Sequence, residues 1–226
     1  MTDLDTLMQR REPLDSELED YLVDSVLGPV IKHPLMFSIP HSPQLNAMAN
    51  ARLRAKREGC RQAVETQQWT QYLFLHERPF RVHAFTRIAA QLSDGNYWSL
   101  LADLWVDAEN IYEHQQLWAT LLQDDARIPR RHLMMTEAER RDLARQPETL
   151  TIYRGFNVDG RHAGMSWTLN AGTARNFALR FGAHGHPQVA SGTVCTAAVI
   201  AYLCGRGEDE IIVIPADVTN VSVAEV

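Results

Sequence analysis

Apolar residues recur every three or four positions from Tyr97 onward: Trp98, Leu101, Leu104, Trp105, Ala108, Ile111, Tyr112, Trp118 and Leu121. The stripe predicts an amphipathic helix with its tryptophans turned into a core. Upstream the pattern is helical from Pro43 to about Leu75, where "LNAMANARLRAKREGCRQAV" contains good helix formers with Gly59 as a weak point. Val82–Leu92 predicts a further helix, broken by "SDG". Thr136 and Glu139 stand at capping-box spacing, so a helix starts there and stops before Pro147. Beyond Pro147 the period changes. "LTIYRGF", "GMSWTL", "TVCTAAVIAYL" and "EIIVIPADVTNVSV" read as strands. Between them "NAGTARNFALRFG" reads as a helix with Asn170 as N-cap and Gly182 as its stop. "GAHGHPQVASG" reads as a loop.

The first 43 residues are irregular, apart from a short amphipathic helix in "LDSELEDYLVDSVL". Pro29, Pro34, Pro40 and Pro43 interrupt any long element there. The expected organisation is an N-terminal arm over 1–43, a mainly helical region over 44–147 and a β-rich core over 148–226. The class is α+β: a helical N-terminal part followed by a compact β-rich part.

Composition narrows the function only modestly. The chain has 226 residues, 45% hydrophobic and 22% charged, with a net charge of −6. These are values of an ordinary globular protein, and the acidic balance argues against a general nucleic-acid or membrane-surface binder. Arg52, Arg54, Lys56, Arg57 and Arg61 are a local exception, read as a solvated helix face or a partner-docking face. Cys60, Cys195 and Cys204 form no CxxC pair and read as reduced, small buried hydrophobes. The acidic N-terminus lacks an apolar signal core and no apolar run reaches membrane-span length, so the expectation is a cytoplasmic protein. His184 and His186 form an HxH without an evident third ligand, so no metal is expected. Their loop is a surface loop or a wall of an active site.

Candidate chemistry gathers at strand edges. Arg154 ends "TIYR", Ser166 and Thr168 flank Trp167, and Glu208 and Glu210 bracket Asp209. On a strand, residues two apart share a face, so Glu208 and Glu210 are expected to face one cleft. Two carboxylates held together suit catalytic work. The same residues also fit a solvated turn before an edge strand, with Arg154 as a simple ion-pair partner.

The ordered set "YRG", "SWT" followed by a helix with "NFA", and "EDEII" resembles the R-S-E class of the ADP-ribosyltransferase family. That class includes cholera-toxin-like and clostridial actin- or Rho-modifying toxins and phage-encoded relatives. The resemblance spans roughly residues 148–218. The short interval from Arg154 to Ser166 suggests a compact, phage-like version with nearly consecutive Arg and Ser strands. The resemblance implies a core of two small packed sheets and NAD as co-substrate. It implies that Glu210 stabilises the cation developing on the ribose and that Glu208 positions and activates the acceptor. Arg154 would hold the pyrophosphate, and Gly155 would let its backbone approach the nicotinamide carboxamide. Ser166 would orient Glu210 and Arg154, Thr168 would support the strand or the next helix, and Phe177 or Phe181 would pack against nicotinamide. For Phe177 a core position is the alternative. Glu208 implies a protein arginine as acceptor. Transfer to nucleic acid, plain NAD hydrolysis, and a non-catalytic binding or inhibitor protein of the same fold are the competing readings.

Overall fold

A computed structural model describes residues 11–109, 111–158, 161–180, 185–205 and 207–226. The chain is α+β, with a three-stranded and a six-stranded antiparallel sheet. It divides into two compact units, residues 1–90 and 91–226. The boundary falls inside the predicted helical region 44–147 and joins the predicted arm to the first half of that region.

In the N-terminal unit the arm is more regular than its prolines suggest. A four-residue helix α1 (Ser16–Glu19) is capped by Asp15, whose carboxylate accepts from the Glu17 N–H. Strands β1 (Leu22–Val23), β2 (Val30–His33) and β3 (Met36–Pro40) then form a meander. Pro29 precedes β2, Pro34 lies in the β2–β3 turn and Pro40 closes β3. A missing N–H at these positions is tolerated, because they lie at strand ends or between strands. Leu14, Leu18, Ile31, Leu35 and Met36 bury themselves against Leu53 of helix α2 (Asn46–Glu65). The predicted helical run continues past Gly59 but breaks at Gln67, whose φ is +53°, before α3 (Trp69–Leu75). Helix α4 (Arg81–Ile88) follows. The basic residues of α2 are largely paired. Arg57 meets Asp15 and Glu17, Arg61 meets Glu58 and Glu65, and Lys56 meets Glu77.

His33 is buried in this unit. Its Nδ1 accepts from the Leu35 N–H, and its Nε2 lies 2.7 Å from Glu17 Oε1. Burial holds its pKa below the ordinary 6.5, with Asp15 opposing. The unfolded chain therefore binds this proton more readily, and the unit loses stability as pH falls through 6.5 toward the folded pKa. Hydrogen exchange of β2 and β3 amides should accelerate between about pH 7 and about pH 5, after correction for intrinsic rates. His33→Gln should flatten that dependence.

The C-terminal unit begins with α5 (Asp94–Asp107), whose first turn is capped by Ser93 accepting from the Asn96 N–H. The predicted long helix is divided. Ala108 leaves helical geometry, Ile111–His114 form a 3-10 turn, and α6 spans Gln115–Leu122. The tryptophans are core residues as the stripe predicts: Trp98, Trp105 and Trp118 are all buried, and the last two meet edge to face at 5.1 Å. The capping box is formed, with Thr136 and Glu139 bonding reciprocally at the start of α7 (Glu137–Ala144).

Six strands follow: β4 (Thr149–Phe156), β5 (Ser166–Thr168), β6 (Gln188–Cys195), β7 (Ala201–Leu203), β8 (Glu210–Ile212) and β9 (Thr219–Glu225). Their order is β7-β8-β5-β4-β6-β9. Among the described residues the C-terminal strands thus make one sheet, and the three-stranded sheet belongs to the N-terminal unit. Strand β6 starts at Gln188, inside the predicted loop, and its partner β4 buries Leu150 and Ile152 by alternation. Helix α8 (Ala171–Leu179) is capped by Asn170, which accepts from the Thr173 N–H; the predicted stop at Gly182 lies outside the described residues. Of the cysteines, Cys195 is exposed, against the expectation of burial.

Candidate active site

Strand pairing brings the sequence-predicted residues together. Tyr153, Thr168, Glu210 and Leu203 form one transverse row across β4, β5, β8 and β7. Strands β4 and β5 are consecutive and adjacent, as the short interval between Arg154 and Ser166 implies. Because β8 lies between β5 and β7, Glu210 opens an inner strand, not an edge. It is only 7% exposed. Its Oε1 accepts 2.5 Å from Ser166 Oγ and 2.9 Å from the indole Nε1 of Trp105. Two donors from different elements therefore fix one carboxylate oxygen, and charge-assisted bonds of this kind are the stronger ones.

Arg154 follows Tyr153 along β4. Its Nε donates to the Arg161 carbonyl at 3.0 Å and an Nη to the Ser166 carbonyl at 2.6 Å. Ser166 thus holds the carboxylate by its hydroxyl and the guanidinium by its main chain. Burial pushes the Arg154 pKa down to about 10; Tyr112 and Glu210 offset part of this, and Arg161 adds to the fall. Among the described residues Arg154 makes no direct ion pair with a carboxylate, although Glu210 is near enough to raise its proton affinity. The guanidinium lies against Gly164, where an added Cβ would stand 2.2 Å from its Cζ. Gly164 is therefore a site residue that the strand motifs do not reveal.

Glu208 departs from the expected geometry. The strand begins only at Glu210, and Asp209 has φ +46°, so the two-residue alternation that would align Glu208 with Glu210 does not reach it. Asp tolerates the left-handed region better than most residues. Here its carboxylate accepts from Tyr202 Oη at 2.7 Å. Glu208 sits in the turn before β8, partly buried, and its carbonyl accepts from Thr168 Oγ1 at 2.6 Å. Thr168 Oγ1 also accepts from the Asn170 N–H at 3.0 Å. The Thr168 hydroxyl is thus spent on the two chain segments that flank the row.

Gly155 lacks a side chain for a packing reason. A Cβ there would stand 1.8 Å from the Ala174 carbonyl oxygen of α8. Phe177 on α8 is 39% exposed, which removes the core alternative for it. Phe181 and His184 lie outside the described residues. The His186 N–H donates to the Asn157 carbonyl.

Two further features adjoin Arg154. The Arg161 guanidinium lies over the Tyr112 ring, 5.1 Å from its centroid. Gln115 Nε2 donates to the Ala163 carbonyl at 2.9 Å, while its Oε1 is buried without a hydrogen-bond partner among the described residues. An unmade bond of this sort costs about 1–3 kcal/mol. Among the described residues no group of three His, Cys, Asp or Glu side chains is placed to hold a metal, and no helix is long and apolar enough to cross a membrane.

Trp105 is the residue that periodicity hides, since it fits the core stripe and also donates to Glu210. Trp105→Phe keeps an aromatic ring beside Trp118 and removes the donor. If Glu210 is catalytic, loss of one hydrogen bond to its carboxylate should lower turnover about tenfold. A melting curve on the same variant should show the fold retained. Comparison with protein-family models, with curated proteins and with solved structures found no match.

Proposed function

We propose that this chain is an NAD-dependent mono-ADP-ribosyltransferase acting on a protein, with arginine as the acceptor side chain, in a cytoplasm. The observation that carries this is the Glu210 carboxylate, fixed by Ser166 and Trp105 at the start of an inner strand, close enough to Arg154 to influence its proton affinity. In the reaction the bond from ribose C1′ to the nicotinamide nitrogen breaks, and nicotinamide leaves neutral with the bonding pair. A guanidine nitrogen of the acceptor bonds to C1′ and gives up a proton. Glu210 stabilises the positive charge that develops on the ribose. Glu208, pinned through its main chain by Thr168, receives the acceptor's proton. Arg154 supplies a planar cation for phosphate oxygens.

Incubation with biotin-labelled NAD and a cell lysate tests this reading. Label should appear on a protein band, survive nuclease and vanish with protease. Label that nuclease removes would replace the protein acceptor by nucleic acid. Nicotinamide release without any labelled macromolecule would leave an NAD hydrolase.

A further inference from the structure

We propose that β9 is a dimerisation strand: two copies of this chain pair antiparallel along its outer edge, about a two-fold axis at Val223, and join their six-stranded sheets into one. This pairing is independent of the reaction proposed above.

The two ends of the sheet are finished differently. At one end β7 is buried, and side chains answer main-chain donors there. The Tyr202 N–H meets Met135 Sδ at 3.3 Å, and the N–H of Cys204, just past the strand, donates to Glu139 Oε1 at 3.0 Å. At the other end all seven residues of β9 are exposed. Among the described residues, no hydrogen bond from outside the sheet reaches the main chain of Val221, Val223 or Glu225. An open edge of this kind is a template for another strand, and β9 lacks the Lys or Pro that commonly guards one. A bulge blunts only its beginning. The register slips between Ser191 and Thr193, and Asn220 has φ +52°. From Ser222 to Glu225 the pairing with β6 is unbroken.

The register also fixes which groups face outward. The Val226 N–H donates to the Pro187 carbonyl at 3.2 Å, toward β6. Antiparallel bonding alternates, so Ser222 and Ala224 turn their main-chain groups to β6, while Val223 and Glu225 turn theirs away. Val223 stands opposite Ala190, which is fully buried, so its side chain continues the buried face of the sheet. Val223 is nonetheless 45% exposed, and Val221, two residues earlier on the same face, is 43% exposed.

The pattern of the strand selects a second copy as the occupant. With Val223 on the axis, it meets its own counterpart, Ser222 meets Ala224 and Val221 meets Glu225. Branched apolar pairs favour such a ladder, and like charges directly opposite would oppose it. Glu225 is the charged residue of this run, and the two copies of it stand about 14 Å apart along the strands. That exceeds the Debye length of about 8 Å at physiological salt. One two-fold operation therefore satisfies both open edges with the same surface.

Sedimentation equilibrium of the full chain tests this. The mass should rise with concentration from 25.6 kDa toward twice that value. Val223→Pro removes the outward N–H and takes no bond from β6, a position where an edge strand tolerates proline. It deletes two hydrogen bonds at the axis and should weaken the dimer about tenfold or more. Val223→Lys leaves the main chain intact and sets two ammonium groups opposite each other, so it should weaken the dimer as well. It also carries the test if the proline variant unfolds, which a circular-dichroism melt reports. Val223→Thr keeps the branched shape and should dimerise within about threefold of wild type. A wild type that stays at 25.6 kDa at every soluble concentration overturns the dimer. A dimer that folded Val223→Lys leaves equally tight places the contact elsewhere and overturns the role of β9. Neither result depends on NAD turnover, so the transferase reading stands or falls separately.

Discussion

Glu210→Gln should lower NAD turnover by about 10²–10³ while leaving the protein folded, the scale expected for losing one preorganised electrostatic group. The substitution isolates charge from shape. The amide oxygen of glutamine still accepts, so the bonds from Ser166 Oγ and Trp105 Nε1 to that position survive. What disappears is the negative charge that the proposed reaction sets against the ribose. Removing the whole side chain would also leave the Trp105 indole N–H without its acceptor in a buried place, and stability and chemistry would fall together. Steady-state nicotinamide release and a denaturant melt on one preparation check both halves. Turnover within about threefold of wild type would remove Glu210 from the chemistry.

Gly155→Ala should be the most damaging small substitution in the C-terminal unit, at about 3 kcal/mol, the upper part of the range for overpacking. The new methyl carbon would stand 1.8 Å from the Ala174 oxygen and 2.6 Å from the Ala178 nitrogen. Both are backbone atoms of α8, so no side-chain rotation relieves the clash. The helix itself must move off β4, and Ala174 and Ala178, both fully buried, would lose their packing. Gly205→Ala is the control. It meets nothing within 4 Å, and an uncrowded surface change should stay within about 0.5 kcal/mol. A urea titration distinguishes the two, and a loss below about 1 kcal/mol at Gly155 would mean that α8 tolerates displacement.

The parts of this fold that were legible in the sequence are those that local rules determine. Thr136 with Glu139, and Asn170 before "AGTARNFAL", announce helix starts because cap chemistry is local. Strand β4 is legible from alternation that buries Leu150 and Ile152. The row Thr168–Glu210 became visible only through pairing across forty-two positions, which no local rule supplies. Local rules also misled. "EDEII" looks like continuous strand, but the positive φ of Asp209 sets Glu208 off the ladder. The prolines of the arm suggested irregular chain, yet they stand at strand ends or in a turn, where strands tolerate them. Trp105 and Gly164 escaped for opposite reasons. Trp105 satisfies a hydrophobic stripe while its N–H serves Glu210, and Gly164 matters through an absent side chain beside Arg154.

In the proposed reaction the carboxylate held by Ser166 and Trp105 stabilises the charge that develops as the bond between ribose and nicotinamide breaks. The most direct test of this is chromatographic measurement of nicotinamide released from NAD by the purified wild-type chain, with and without added lysate as a source of acceptor. Release should grow in proportion to protein concentration, exceed the protein-free rate, and fall by about 10²–10³ with Glu210→Gln. Release no faster than the protein-free rate, from a wild-type chain shown to be folded and supplied with acceptor, would contradict it.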